Sequence, residues 1–183
     1  DLKSLDKEVV ILAMGEKTQE GFKNFFEKNF IEKLGNIYKY GKIEVQFCKF
    51  LSQEDYEELI NLTDFNFVRG EDSFIRAVLT GKPYLWHIYC QEDYAHMDKI
   101  EGFLDKYERQ MKGKTSEEYL SEYKKLFKDY NFRRENSLEE GKEEYLFFFN
   151  NLKEIERCNS LFRDFLISNC NLINKIKDFI EKF

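Results

Sequence analysis

FNFVRGEDSFIRAVLTGKP, residues 65–83, contains a strand, a turn and a helix in the order typical of an α/β protein. The pattern predicts a strand over Asp64–Val68 and a helix over Phe74–Thr80. Gly81-Lys82-Pro83 ends this helix, because glycine and proline commonly follow the last helical turn. The turn between the two elements, Arg69–Ser73, combines an arginine, a glycine, two acidic residues and a serine.

The segments on both sides of this stretch continue the alternation of strands and helices. Apolar runs predict buried strands over Val9–Met14, Ile43–Phe50 and Tyr84–Tyr89. Helical patterns cover Thr18–Leu34, the region after the capping-box spacing of Ser52–Asp55, and Ala95–Glu108. Because strands separated by helices pair in parallel through right-handed crossovers, residues 1–108 are predicted to form a doubly wound, Rossmann-like parallel sheet.

Residues 109–183 have a different character, since charged stretches and helix starts replace the strand pattern. We predict a helical C-terminal extension packed on the α/β domain. The run Tyr145–Phe149 is compatible with either a strand or a buried helix. Helix starts are predicted at Thr115–Glu118 and Ser137–Glu140, and a final helix has Ile173, Ile176, Ile180 and Phe183 along one stripe.

Composition excludes several classes of function. The net charge is −6 and the isoelectric point about 5.2, so the chain has no basic surface for nucleic acid. It has no apolar run long enough to span a bilayer and no signal-peptide pattern, which predicts a cytoplasmic protein without membrane contact. The four scattered cysteines are predicted to be reduced and mostly buried, and with two isolated histidines they offer no metal-binding spacing.

The turn after the strand at residues 64–68 has the chemistry of an anion site. The first turn of a helix carries unpaired backbone N–H groups, and Arg69 adds a guanidinium suited to phosphate. Glu71 and Asp72 repel phosphate but accept hydrogen bonds from sugar hydroxyls. This combination favours a nucleotide or nucleotide-sugar; the alternative is a plain capped helix start, in which Asp72 is the cap.

Other prominent side chains have simpler interpretations. The stripe formed by Phe22, Phe26 and Phe30 is predicted to be core. Trp86 and His87 lie on a predicted central strand and are expected to pack in the core, although His87 is also able to hydrogen-bond near the turn. His96 opens a helix and is expected to be a surface or capping residue.

Three segments together resemble one enzyme family. They are residues 50–59 (FLSQEDYEEL), 64–93 (DFNFVRGEDSFIRAVLTGKPYLWHIYCQED) and 95–107 (AHMDKIEGFLDKY). The family is the bacterial protein-arginine rhamnosyltransferase of translation elongation factor P, a GT-B glycosyltransferase with two Rossmann-like domains. The resemblance implies an inverting, metal-independent transfer of rhamnose from dTDP-L-rhamnose to an arginine of that factor, without a cofactor.

The resemblance also implies roles for individual residues. This chain resembles the C-terminal, donor-binding half of the enzyme, and Glu71 corresponds to the functionally critical glutamate of the motif. Thymine contacts are implied for Phe50, Gln53 and Tyr56. Contacts with the ribose and diphosphate are implied for Arg69, Asp72, Ser73 and Tyr89, and Gln91 closes the motif.

The chain departs from the family pattern in three places. Cys90 stands where the motif has a proline, and Leu12-Ala13-Met14 stands where the family has donor-holding aromatic residues. No segment resembles the N-terminal domain, which holds the acceptor and the general base. The sequence starts at Asp1 rather than Met, so we expect either a fragment of a longer protein or the loss of a disordered beginning. The isolated domain is then expected to bind donor without transferring sugar.

Three alternatives stay open at this point. The chain is a relative that uses another nucleotide-sugar or another acceptor, or a non-catalytic nucleotide-binding module. In the third alternative its helical half binds a partner and the α/β half only supports it.

Overall fold

The computed structural model describes residues 2, 5–31, 33–91, 94–132, 142–170 and 172–181. The chain divides into two compact units, Asp1–Tyr56 and Glu57–Phe183. The boundary predicted between residues 108 and 109 instead falls inside one helix, Ala95–Met111. The helical region is therefore not a separate extension but part of the second unit.

The first unit combines one helix with a mixed four-stranded sheet. Its elements are β1 (Val9–Ala13), α1 (Glu16–Lys28), β2 (Lys33–Leu34), β3 (Ile37–Tyr40) and β4 (Ile43–Phe47). The strand order is β1-β4-β3-β2, with β1 and β4 parallel and the other pairs antiparallel. The parallel pair agrees with the prediction. The hairpins β2–β3 and β3–β4 were not predicted; the chain reverses at Gly35-Asn36 and at Gly41, where both glycines have positive φ.

Helix α1 is shorter than predicted, and this changes the fate of its phenylalanines. Phe26 is buried and Phe22 packs beside it in the core of the first unit. The helix ends at Lys28, and Phe30 takes a positive φ of 52° with its side chain 94% exposed. The prediction of core packing is thus correct for Phe22 and Phe26 and wrong for Phe30.

The second unit begins inside α2 and builds an α/β core. Strands β5 and β6 pair in parallel, from Asn66 opposite Tyr84 to Arg69 opposite His87, as predicted. The run Tyr145–Phe149 is helical. The elements are α2 (Gln53–Leu62), β5 (Asn66–Arg69), α3 (Glu71–Thr80), β6 (Tyr84–His87), α4 (Ala95–Met111), α5 (Glu117–Phe132), α6 (Lys142–Asn150), α7 (Leu152–Asn169) and α8 (Leu172–Ile180).

Aromatic packing joins the β5–β6 sheet to the helices of the second unit. Phe74 of α3 stacks on Trp86 of β6, with ring centroids 3.9 Å apart and planes inclined by 10°. Tyr107 of α4 stacks on Tyr123 of α5 at 4.6 Å. Because these residues belong to one buried cluster, strands β5 and β6 share a single core with helices α3 to α7. The predicted α/β class is confirmed.

Several smaller predictions have mixed outcomes. The helix start predicted at Thr115–Glu118 is confirmed, since α5 begins at Glu117 and Ser116 Oγ accepts the Tyr119 N–H at 3.1 Å. All four cysteines are unpaired, as expected, but only Cys158 is buried. The predicted helix start at residues 137–140 lies outside the described residues, as does Phe183 of the final stripe. Within the described part of the chain, no helix is long and apolar enough to cross a membrane.

Candidate functional site

The turn between β5 and α3 is fixed to β6 by backbone and side-chain hydrogen bonds. Gly70 takes φ 77° and ψ 172°, a conformation that is essentially restricted to glycine. Its N–H donates to the His87 carbonyl at 3.2 Å. Its carbonyl accepts the indole N–H of Trp86 at 3.1 Å and the Phe74 N–H at 3.3 Å. The carboxyl end of β6 therefore fixes the position of this turn.

A second requirement for glycine comes from the ring of Tyr89. A Cβ atom added to Gly70 would lie 2.8 Å from Cε2 of that ring, closer than real Cβ contacts. On the same ring lies the guanidinium of Arg69, 5.1 Å from the centroid, in a cation–π arrangement. Tyr89 is 56% exposed. Arg69, Gly70 and Tyr89 thus form one partly open cluster at the carboxyl edge of the β5–β6 sheet, which we call the RGY cluster.

The N-terminus of α3 faces this cluster, and no side chain of the described residues caps it. The first amides of a helix lack intrahelical acceptors and carry a partial positive charge, so they favour an anion. Among the ion pairs formed by the described residues, none involves Arg69. Its charge and the open amides of Glu71, Asp72 and Ser73 are therefore suited to a phosphate.

The two acidic side chains of the turn have their own cationic partners. Glu71 lies 3.4 Å from Lys99 of α4, and both side chains are largely exposed. Asp72 pairs with Arg76 one turn further along α3 at 2.9 Å, and Arg76 also pairs with Glu57. The alternative in which Asp72 caps the helix is wrong, because the N-cap position is Gly70.

His87 lies at the end of β6 beside the cluster and is only half-buried, so the expectation of core packing is met by Trp86 alone. Its ring meets the ring of Tyr130 edge-on at 5.5 Å. Burial, and secondarily the charge of Arg69, lowers the pKa of His87 below its ordinary value of 6.5. At neutral pH the positive charge of the site therefore comes from Arg69 and the helix N-terminus.

His96 is a buried structural residue, so the expectation of a surface or capping residue is wrong. It is 2% exposed, and its Nδ1 accepts the Gln91 N–H at 3.0 Å. Gln91, exposed itself, is thereby held just after Tyr89. A signal existed in the sequence, because His96 begins the stripe continued by Ile100 and Leu104, which are both fully buried.

The three residues predicted to contact thymine belong to the first unit. Phe50 is fully exposed, Gln53 is exposed at the start of α2, and Tyr56 is half-buried. The predicted capping of this helix is confirmed, since the Asp55 N–H donates to Ser52 Oγ at 3.1 Å. The thymine pocket itself stays a prediction.

No three His, Cys, Asp or Glu side chains come together as a metal site within the described residues. The metal-independent, cofactor-free reaction implied by the resemblance is untested by this finding and stays a prediction.

A sequence model of the family described as Elongation-Factor P (EF-P) rhamnosyltransferase EarP matches residues 1–181. The chain belongs to this family. Its turn RGED, with the helix start behind it, is therefore a feature of an EarP family member rather than an isolated motif.

Curated relatives carry the corresponding name. A "Protein-arginine rhamnosyltransferase" from Pseudomonas putida is 49% identical over 74 residues, which are 40% of this chain and 20% of that protein. One of the same name from Neisseria meningitidis is 37% identical over 97 residues, 53% of this chain and 24% of that protein. This EarP family member thus matches only about a fifth to a quarter of the length of these relatives.

A solved structure shows the same fold. It is described as "Structural basis for EarP-mediated arginine glycosylation of translation elongation factor EF-P", and it superposes with a TM-score of 0.74 at 23% identity. The superposition covers 98% of this chain and 54% of the other. The α/β arrangement of the EarP family member is therefore that of about half of a longer known protein.

Proposed function

We propose that this chain is the donor-binding half of a two-domain GT-B enzyme that transfers L-rhamnose from dTDP-L-rhamnose to an arginine of translation elongation factor P. The observation that carries the proposal is the uncapped N-terminus of α3 beside the RGY cluster, in a member of the EarP family. Both features favour a diphosphate.

The diphosphate is bound by backbone and guanidinium together. The amides of Asp72 and Ser73 and the Ser73 hydroxyl donate hydrogen bonds, while Arg69 neutralises charge. Charge grows on dTDP as the bond to rhamnose breaks, so preorganised donors at this place stabilise the transition state. In this proposal the guanidinium and the helix N-terminus supply the stabilisation that a metal ion gives in other transferases.

The carboxylates of the turn serve the sugars. Glu71 is exposed, and among the described residues its one ion pair is a long one with Lys99, so we propose that its oxygens bind rhamnose hydroxyls. Asp72 is the more committed side chain because Arg76 binds it, and it contributes to ribose binding. We assign Tyr89 to the ribose and diphosphate, with Gln91 closing the motif, and the family resemblance assigns the base to Phe50, Gln53 and Tyr56.

The remaining catalytic parts belong outside this chain. A single inverting displacement needs a base for the acceptor arginine, and we assign that base to an N-terminal domain, as the family resemblance implies. The 183-residue chain alone is then expected to bind donor but not to transfer rhamnose. We place the enzyme in the cytoplasm, with elongation factor P as its protein partner.

Nucleotide selectivity tests the proposal on the chain as it exists. A ligand at 100 times its Kd stabilises a protein by about 2.7 kcal/mol, which is readily seen as a rise in Tm. We expect dTDP to raise Tm more than UDP or GDP does. The deoxy analogue dUDP, which lacks only the thymine methyl, separates base reading from ribose reading. A larger rise with UDP than with dTDP contradicts the thymidine donor.

The role of Glu71 is tested in the full-length protein. We expect Glu71→Gln to abolish most arginine rhamnosylation while leaving the Tm unchanged within experimental error, because the carboxylate is exposed. Unaltered transfer by this variant removes Glu71 from the mechanism.

A further inference from the structure

Asn131, near the end of α5, is a buried side chain with an unusual set of partners. It is 2% exposed. Its Nδ2 donates to the Trp86 carbonyl at 2.9 Å and to the Phe127 carbonyl at 2.8 Å. Its Oδ1 accepts the Ile88 N–H at 2.9 Å. One asparagine side chain therefore satisfies three buried backbone groups.

Two of these groups lie on the chain segment that leaves β6. The Trp86 carbonyl and the Ile88 N–H are the pair that a neighbouring strand would bind, and the Asn131 amide takes the place of that strand. Strand β6 ends at His87, so the side chain binds the backbone one residue beyond the strand. Losing it would leave buried donors and acceptors without partners.

The same segment holds the RGY cluster in place. His87 and Trp86 bind the N–H and the carbonyl of Gly70, as described above. Tyr89 follows Ile88 directly, and its ring lies against Gly70 and under Arg69. A shift of the backbone at residues 86–88 is therefore transmitted to the ring and to the guanidinium.

We propose that Asn131 is a positioning residue of the diphosphate site, acting through the backbone of β6 on Tyr89 and thereby on Arg69. This inference rests on the proposed function, and it gives α5 a part in donor binding. None of the three segments that carry the family resemblance contains Asn131.

A second buried asparagine supplies a matched control. Asn159 of α7 is 1% exposed, and its Oδ1 accepts the Tyr107 hydroxyl at 3.0 Å. Its Nδ2 donates to the Lys82 carbonyl at 2.9 Å. Lys82 precedes β6, so Asn159 holds the end of the strand opposite to the site.

The test compares Asn131→Ala with Asn159→Ala in the 183-residue chain. Urea midpoints and dTDP titration calorimetry are measured on each. We expect both midpoints to fall, but only Asn131→Ala to weaken dTDP binding, by about tenfold, the size typical of coupling within one hydrogen-bonded network. Equal affinities for the two variants overturn the inference and leave the proposed function intact. No dTDP binding by the unaltered chain overturns both.

A double-mutant cycle asks whether Asn131 acts through Tyr89. In a Tyr89→Ala background we expect Asn131→Ala to cause no further loss of dTDP affinity. Losses that multiply show that the two residues act independently, which contradicts the inference.

The unaltered chain provides a measurement that does not depend on variants folding. Both asparagine side-chain amides are buried, so each should give its own protected NH₂ signal in ¹H–¹⁵N spectra. We expect dTDP to shift the signal of Asn131 and leave that of Asn159 in place. Binding of dTDP that moves neither signal, or moves both equally, overturns the inference.

Discussion

The two ends of helix α3 have similar glycine geometry but differ in the side chains that bind them. Each end has a buried glycine with positive φ, Gly70 at the N-terminus and Gly81 at the C-terminus. At the C-terminus, Arg163 of α7 donates to the Thr80 carbonyl at 3.1 Å and closes the helix. At the N-terminus, no side chain in the described part of the chain caps the helix. One end is capped by an arginine side chain, whereas the other presents the first-turn amides that we propose for diphosphate binding.

This difference teaches that glycine geometry alone does not mark a site. A Cβ on Gly81 would meet Arg163 at 2.7 Å, just as one on Gly70 would meet Tyr89 at 2.8 Å. What differs is the use of the neighbouring cation. Arg163 donates to a backbone carbonyl, whereas Arg69 stacks on an exposed ring and its guanidinium donates to no other described residue.

The largest effect is expected from Gly70→Ala. Both Gly70→Ala and Gly81→Ala force a non-glycine residue into a positive-φ conformation, at a cost of roughly 1–3 kcal/mol each. Only the first displaces the Tyr89 ring and with it the diphosphate site that we propose. We expect dTDP affinity to fall about a hundredfold for Gly70→Ala, because several hydrogen bonds to charged groups are lost. Titration calorimetry checks this, with urea unfolding as the measure of stability.

Gly81→Ala serves as the control for that experiment. Its dTDP affinity should match that of the unaltered chain even though its urea midpoint falls. A comparable loss of affinity in both variants would mean that binding follows stability and that the two ends of α3 do not differ in function.

A smaller effect is expected from removing the guanidinium. Arg69→Gln should weaken dTDP binding by about tenfold, the usual scale of a lost charge-assisted hydrogen bond, with little change in stability. Arg163→Gln should do the reverse, lowering the urea midpoint without changing the affinity. The pair is measured by the same titrations. Unchanged dTDP affinity in Arg69→Gln refutes the assignment of this guanidinium to the diphosphate.

His87, which lies beside the N-terminus of α3, is expected to make the stability of the chain depend on pH. The pKa of His87 is lower in the folded chain than its ordinary value of 6.5. Between these two values the unfolded chain therefore binds more protons than the folded chain does. Stability should therefore fall as pH drops through 6.5 towards the folded pKa. His87→Gln should flatten this part of the curve of urea midpoint against pH; Arg69, His96 and Tyr130 stay unchanged around it. Superimposable curves for the two proteins contradict the lowered pKa.

The smallest effects concern surface charge. Each end of α3 has an exposed or half-exposed ion pair nearby, Glu71 with Lys99 and Glu156 with Lys82. Lys99→Met and Lys82→Met should each change the free energy of unfolding by less than about 1 kcal/mol. Chemical denaturation checks both. A loss well above that size would place the difference between the two ends in surface charge rather than in the buried contacts.

Local sequence patterns predicted several elements of the fold. The apolar runs of β1, β5 and β6 and the Gly-Lys-Pro stop after α3 were sufficient to predict the elements that build the turn. The hairpin β2–β3 and the early end of α1 were missed, because the phenylalanine stripe extended the helical pattern to Phe30.

The long-range hydrogen bonds around α3 and β6 could not be predicted from such patterns. Asn131 lies 45 residues from Trp86 in sequence, and Arg163 lies 83 residues from Thr80. A hydrogen bond between positions so far apart depends on how α5 and α7 pack on the core. A short sequence motif does not predict such a bond. Arg69, Glu71 and Ser73 could be named as candidates because a single turn carries all three.

The most direct test of the open helix end is a titration of the isotopically labelled chain with dTDP, followed through its backbone amides. We predict that the largest ¹H–¹⁵N shifts occur at Glu71, Asp72 and Ser73, where the diphosphate meets the helix N-terminus. The amides of Gly81 and Lys82 at the sealed end should stay in place. Saturable dTDP binding that leaves the three first-turn amides unmoved would contradict the diphosphate site.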